Sequence, residues 1–190
     1  MNGFDLILTE GDITLGCIRG SERALFIKTG QGGTLYGDGD RYLRLAVDVR
    51  ERLGYSVFVS RTVDDSLSTF LREMRMIDEA PGTEVREIYY LGFSKGGLIA
   101  SWYAKEEPRI KRVLSVNAPL MVNFHNKTLP GIKALGERIT VVYGSRDPSF
   151  PYVPFISRYT EPVILDGADH NLSGSECGIG ELAYEYLLRE

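Results

Sequence analysis

The sequence predicts an α/β fold: a mainly parallel twisted sheet with helices on both faces and an antiparallel strand pair at its start. Three observations predict it. Short runs rich in Val, Ile, Leu and Tyr alternate with stretches of helical periodicity, turn residues separate the two, and the runs are apolar at most positions rather than at every second one. Apolar runs of strand length suit strands buried on both faces. Steady alternation of strand and helix calls for crossover connections between parallel strands.

The elements follow in order. Phe4 to Thr9 and Ile13 to Arg19 flank a Glu-Gly-Asp turn, the pattern of an antiparallel pair. The further strands are Ala24 to Lys28, Tyr55 to Ser60, Glu87 to Leu91, Arg112 to Val116, Ile139 to Tyr143 and Pro162 to Leu165. Between them, Tyr42, Ala46, Val49 and Leu53 form a helical stripe that stops at Gly54. Leu67, Phe70, Leu71, Met74 and Ile77 form a second, Leu98, Ile99, Trp102 and Tyr103 a third, and Ile179, Leu182, Ala183, Tyr186 and Leu187 a last one. Each stripe is expected to face the core.

With 43% hydrophobic and 25% charged residues over 190 positions, and no repeat or linker, residues 1–190 are expected to form one domain. The net charge of -4, with both signs mixed along the chain, provides no basic face and argues against a nucleic-acid partner. No basic residue precedes the short apolar stretch at the amino terminus, and no run reaches the roughly 18 apolar residues of a membrane span. The expected setting is therefore the cytoplasm, with Cys17 and Cys177 as buried or idle thiols. Two distant histidines and scattered acids lack ligand spacing, so no metal is expected. Gly30-Gln-Gly32-Gly-Thr-Leu35 lacks the final glycine of a dinucleotide fingerprint, and no Gly-Lys-Ser or Gly-Lys-Thr occurs, so no cofactor is expected either. Nothing in the sequence specifies an oligomeric state.

The chemistry centres on Gly92-Phe93-Ser94-Lys95-Gly96-Gly97, a Gly-x-Ser-x-Gly segment between a strand and a helix. A turn this tight excludes side chains two residues before and after the serine and lifts its hydroxyl above the sheet edge. A glycine-rich turn used only for packing is the alternative. The hydroxyl needs a base. His125 lies in a polar connection with no acid nearby in sequence, whereas His170 follows the last strand, where a loop can carry it over Ser94. The imidazole in turn needs a carboxylate. Asp147, just past the strand ending at Tyr143, is favoured. Asp166 and Asp169, close to His170 in sequence, fit better as residues that fix their own loop.

The order serine, acid, histidine, each in a loop after a late strand, resembles the α/β-hydrolase superfamily across nearly the whole chain. The resemblance implies the α/β-hydrolase fold, with Ser94, Asp147 and His170 as catalytic residues, Gly92 and Gly96 shaping the nucleophile elbow, and an oxyanion hole built from backbone N–H groups. The first donor maps onto Lys95. The second maps onto Gln31, because Thr29-Gly30-Gln31-Gly32-Gly33 is similar to the family's His-Gly-x-Gly-Gly, with Thr29 in place of histidine. The expected function is hydrolysis of a carboxylic ester or related acyl bond of a small molecule. The alternatives are a non-catalytic binding module on the same fold, or an acyltransferase or thioesterase using the same three residues. The connection from Asn117 to Glu137 is too short for a sizeable cap, and its apolar residues, with Phe150-Pro-Tyr152, are candidates either for an acyl pocket or for packing.

Overall fold

The structure, a computed structural model, describes residues 3–188. The first two apolar runs form β1 (Leu6–Glu10) and β2 (Ile13–Ile18), antiparallel across the expected turn, with Glu10 opposite Ile13. Then come β3 (Ser21–Gln31), β4 (Tyr55–Thr62), β5 (Glu87–Phe93), β6 (Ile110–Val116), β7 (Ile139–Gly144) and β8 (Val163–Leu165). Among the described residues these form one eight-stranded sheet in the order β1-β2-β4-β3-β5-β6-β7-β8. β2 pairs antiparallel with β4, and every pairing from β4 to β8 is parallel. The strands run longer than their apolar cores at several ends. β3 in particular continues three residues past Lys28 to Gln31, because Lys28 and Thr29 are buried despite their polarity.

The helices are α1 (Arg41–Leu53), α2 (Leu67–Asp78), α3 (Lys95–Tyr103), α4 (Leu129–Leu135), α5 (Val153–Ile156) and α6 (Ile179–Ala183), the last continuing as a wider turn through Tyr184–Leu188. α1 stops at Gly54 as expected, and Ser66 caps α2 by accepting the Thr69 N–H at 3.1 Å. The doubly buried strands divide their side chains between two cores. Ala24 and Phe26 of β3 join the core under α2, α3, α4 and α5, while Leu25 and Ile27 join the core under α1 and α6. β5 does the same with Ile88 and Tyr90 on one side and Leu91 and Phe93 on the other. α3, sandwiched at the middle of the sheet, is buried on every face.

Three stripe positions depart from expectation. Leu53, Leu67 and Leu71 are exposed, while the buried face of α2 takes in Glu73 and Met76 instead. The core lies under α2 rotated from where Leu67 and Leu71 point, and Leu53 is the last residue of α1, next to the Gly54 stop. Cys17 is buried, which pushes its thiol up to about 12, and both cysteines are free thiols. No helix among the described residues is long and apolar enough to cross a membrane.

Candidate active site

β5 runs between β3 and β6, and the chain turns sharply at its end into α3. Ser94 sits on that turn with φ 53° and ψ −119°, a backbone state rare for any residue with a side chain. Its N–H donates to the Val116 carbonyl at 2.7 Å, and its carbonyl accepts from Gly97 and Leu98 at 3.0 and 3.2 Å. The bend closes because Gly92 and Gly96 bring three chain segments together. A methyl group on Gly92 would stand 2.5 Å from the Gly97 nitrogen, and one on Gly96 would fall on the Lys28 carbonyl oxygen. The serine hydroxyl is left partly exposed at the strand's carboxyl end.

Asp147 and His170 arrive on loops after β7 and β8, as their positions predicted. The two loops are laced together: Ser145 and Arg146 donate their N–H groups to the carbonyls of Leu165 and Ala168, both at 2.9 Å, and the Arg146 Nε–H donates to Gly167 at 2.7 Å. His170 Nε2 lies 3.1 Å from Ser94 Oγ, and His170 Nδ1 lies 2.5 Å from Asp147 Oδ2. Asp147 Oδ1 accepts the Ser149 N–H at 2.7 Å, so both oxygens of this wholly buried carboxylate are bonded. A carboxylate beside Nδ1 places the ring proton there and leaves Nε2 free to accept from the serine hydroxyl.

The other candidates go elsewhere. Asp169 accepts the N–H groups of Asn171 and Ser173 at 2.8 and 2.9 Å and so braces its own loop, whereas Asp166 accepts from the Ser145 hydroxyl at 3.1 Å and ties its loop to the one after β7. His125 is exposed on the one-turn segment Phe124–Thr128, its ring edge-on to Phe124. Among the described residues no three His, Cys, Asp or Glu side chains group as metal ligands.

Gln31 is the last residue of β3, opposite Thr62 and beyond a register shift that begins after Lys28. The chain there passes so near the elbow that a methyl group on Gly30 would stand 3.2 Å from Ser94 Cβ. Thr29, which replaces histidine in the family-like segment, is buried. Its Oγ1 accepts the Thr62 N–H at 3.3 Å and its carbonyl accepts from the Thr62 hydroxyl at 2.5 Å, which ties the segment to β4. Residues 30–34 line a cleft of about 500 Å³ together with Phe93, Ser94, His170, Asn171 and the start of α1. The apolar connection was not drawn into it. Leu120, Met121, Val122 and Tyr152 line a separate depression of about 260 Å³ that holds neither Ser94 nor His170. The rest of that connection packs down on α3, where Trp102 Nε1 donates to Thr128 Oγ1 at 2.7 Å.

Sequence reasoning passed over Asn117. Buried at the end of β6 with φ 49°, it joins three strand ends. Its N–H donates to Val142, its Oδ1 accepts the Gly144 N–H at 2.8 Å, and its Nδ2 donates to the carbonyls of Asp169 and His170 at 3.2 and 2.9 Å. One amide thus sets the height of both the Asp147 and the His170 loops. The only local signal was an amide side chain closing an apolar run.

No protein-family model matches this sequence, and no curated protein matches it either. Solved structures match it in shape. A structure of an alpha-beta serine hydrolase homologue from Coxiella burnetii is 17% identical, with a TM-score of 0.63, over 90% of each chain. Est1E from Butyrivibrio proteoclasticus is 16% identical, with a TM-score of 0.62, over 89% of this chain and 90% of that one. An esterase from Pyrococcus furiosus is 13% identical, with a TM-score of 0.61, over 93% and 83%. At such identities the likeness defines the fold: this chain has the α/β-hydrolase fold.

Proposed function

We propose that the protein is a serine hydrolase cleaving a carboxylic ester or related acyl bond of a small molecule through an acyl-enzyme intermediate. The observation that carries this reading is the continuous relay from Ser94 Oγ through the His170 ring to Asp147, at 3.1 and 2.5 Å, opening into a cleft. Ser94 attacks the carbonyl carbon as His170 Nε2 takes its proton. Asp147 stabilises the imidazolium, and His170 returns the proton to the leaving group. Water then attacks the acyl-serine by the same route in reverse.

The negative oxygen of each tetrahedral intermediate needs donors already in place. In this reading they are the N–H of Lys95, whose position in the first turn of α3 leaves it without a partner inside the helix, and the N–H of Gln31. Each such donor typically lowers the barrier by about 3 kcal/mol. Residues 1–190 act as one unit without a sizeable cap, and the open cleft suits a small substrate.

A fluorophosphonate probe should label Ser94 covalently and 4-nitrophenyl acetate should be turned over, whereas Ser94→Ala should do neither while keeping the wild-type circular dichroism spectrum. An unlabelled wild-type protein would leave only a binding module on this fold.

A further inference from the structure

We infer that Arg41 selects substrates bearing a carboxylate near the scissile bond, an inference that rests on the hydrolase reading above and narrows its substrate class. Arg41 opens α1 and lines the cleft that holds Ser94 and His170. Its guanidinium carbon lies 4.4 Å from the centre of the Phe93 ring, and the His170 ring packs against the same Phe93 at 5.4 Å. The cation is therefore held on the residue next to the nucleophile.

Its orientation is set by weak neutral partners. Nη2 donates to the Tyr42 hydroxyl at 3.1 Å, Nη1 to the Asn171 carbonyl at 3.4 Å, and the Tyr42 ring lies 4.9 Å away. No carboxylate among the described residues comes within 4.0 Å of its nitrogens, and Asp38, the one acid lining the same cleft, stays outside that reach. A guanidinium carries five N–H donors. Two are engaged here, and the buried Nε–H has no acceptor at all. Some other arginines take acids as partners, Arg52 taking Asp48 and Arg109 taking Asp78 and Glu107, while Arg50, Arg61 and Arg138 donate to backbone carbonyls; what sets Arg41 apart is its place on the cleft that holds Ser94. An oriented arginine without a counter-charge, facing a reaction site, is a ready fork for a carboxylate. The adjoining groove of about 640 Å³ is lined by Arg41, Arg44 and Arg52 but equally by Asp38, Asp48 and Glu181, so the substrate's carboxylate is expected to stop at Arg41 rather than extend into it.

The carboxylate could belong to the acyl part or to the alcohol part, and two substrate pairs separate these. The first is the 4-nitrophenyl monoester of glutaric acid against 4-nitrophenyl pentanoate, and the second is 4-acetoxybenzoate against phenyl acetate. In one pair the wild-type protein should favour the charged ester in kcat/KM, mainly through KM. Arg41→Gln should lower that charged-to-neutral ratio about tenfold to a hundredfold, the worth of a charge-assisted hydrogen bond. Arg41→Lys should keep part of the preference. A ratio that Arg41→Gln leaves unmoved in both pairs, or a wild-type preference for both neutral esters, would overturn the inference. If no ester is turned over, the hydrolase reading falls alone. Calorimetric titration with glutarate and with 4-hydroxybenzoate then decides: binding lost in Arg41→Gln upholds the arginine site, and equal or absent binding in the two proteins ends it.

Discussion

Two carboxylates, Asp147 and Glu73, have wholly buried side chains on opposite sides of the Ser94 bend, and they are treated differently. Asp147 has both oxygens bonded, and its partner His170 keeps 41% of its side chain in solvent. Glu73, on α2, meets Lys28 of β3, whose side chain is only 1% exposed. Its Oε1 accepts from Lys28 Nζ and the Ser60 hydroxyl, and its Oε2 has no partner. The first pair has one foot in the cleft and can pass a proton to something bound there. The second is sealed between sheet and helix and can only hold. It holds the place that matters to the site, since Lys28 pairs with Gly92 across the sheet and its carbonyl roofs Gly96. In the proposed reading, the pair whose partner reaches solvent serves chemistry and the sealed pair serves architecture.

The largest expected effect breaks the open pair. Asp147→Asn should preserve the fold but leave His170 in the wrong tautomer, lowering kcat on a 4-nitrophenyl ester about 1,000- to 10,000-fold. A loss below tenfold would mean that the relay does not run through this residue.

Breaking the sealed pair should act on stability instead. Lys28→Met strands Glu73 as an uncompensated buried group and should cost about 3–5 kcal/mol in urea unfolding. Adding Glu73→Leu should return most of that loss, because an apolar pair of similar volume avoids desolvating two charges. If the double variant is no more stable than the single one, the sealed pair is worth more than its geometry indicates.

The smallest effect is a slope. Burial raises the Glu73 pKa above its ordinary 4.5, outweighing the Lys28 charge beside it. A carboxyl whose pKa is higher folded than unfolded contributes stability below the unfolded value, and that contribution fades as pH rises through the folded value. Glu10 works in the opposite direction, since bonds from Arg75 and Arg72 lower its pKa and its contribution is lost on acidification. Subtracting Glu73→Gln from wild type therefore isolates the one residue: the difference in urea midpoint should decline from pH 4 upward, and a flat difference would mean that Glu73 ionises in the core as readily as in water.

How much of this was readable beforehand depends on the range of the interaction. The sheet, its antiparallel start and the Ser94 bend are written in spacing over ten residues or fewer, where apolar periodicity and glycine placement act directly on the backbone. Asp147 and His170 could be named because strand ends in a parallel sheet share one rim. The exposure of Leu67 and Leu71 could not be read, since a helical stripe tells which residues share a face but not how that face is rotated onto the sheet.

The chain's local pattern by itself determined the alternation of strand and helix, the strained bend at Ser94 and the rim on which three polar side chains would collect. Only tertiary structure decided that Lys28 is buried against Glu73, that Asn117 ties three strand ends, and that Arg41 lies on Phe93 without an acid. Each joins residues distant in sequence, and a charge or amide in a short window looks the same whether its partner is water or a group brought in from far along the chain.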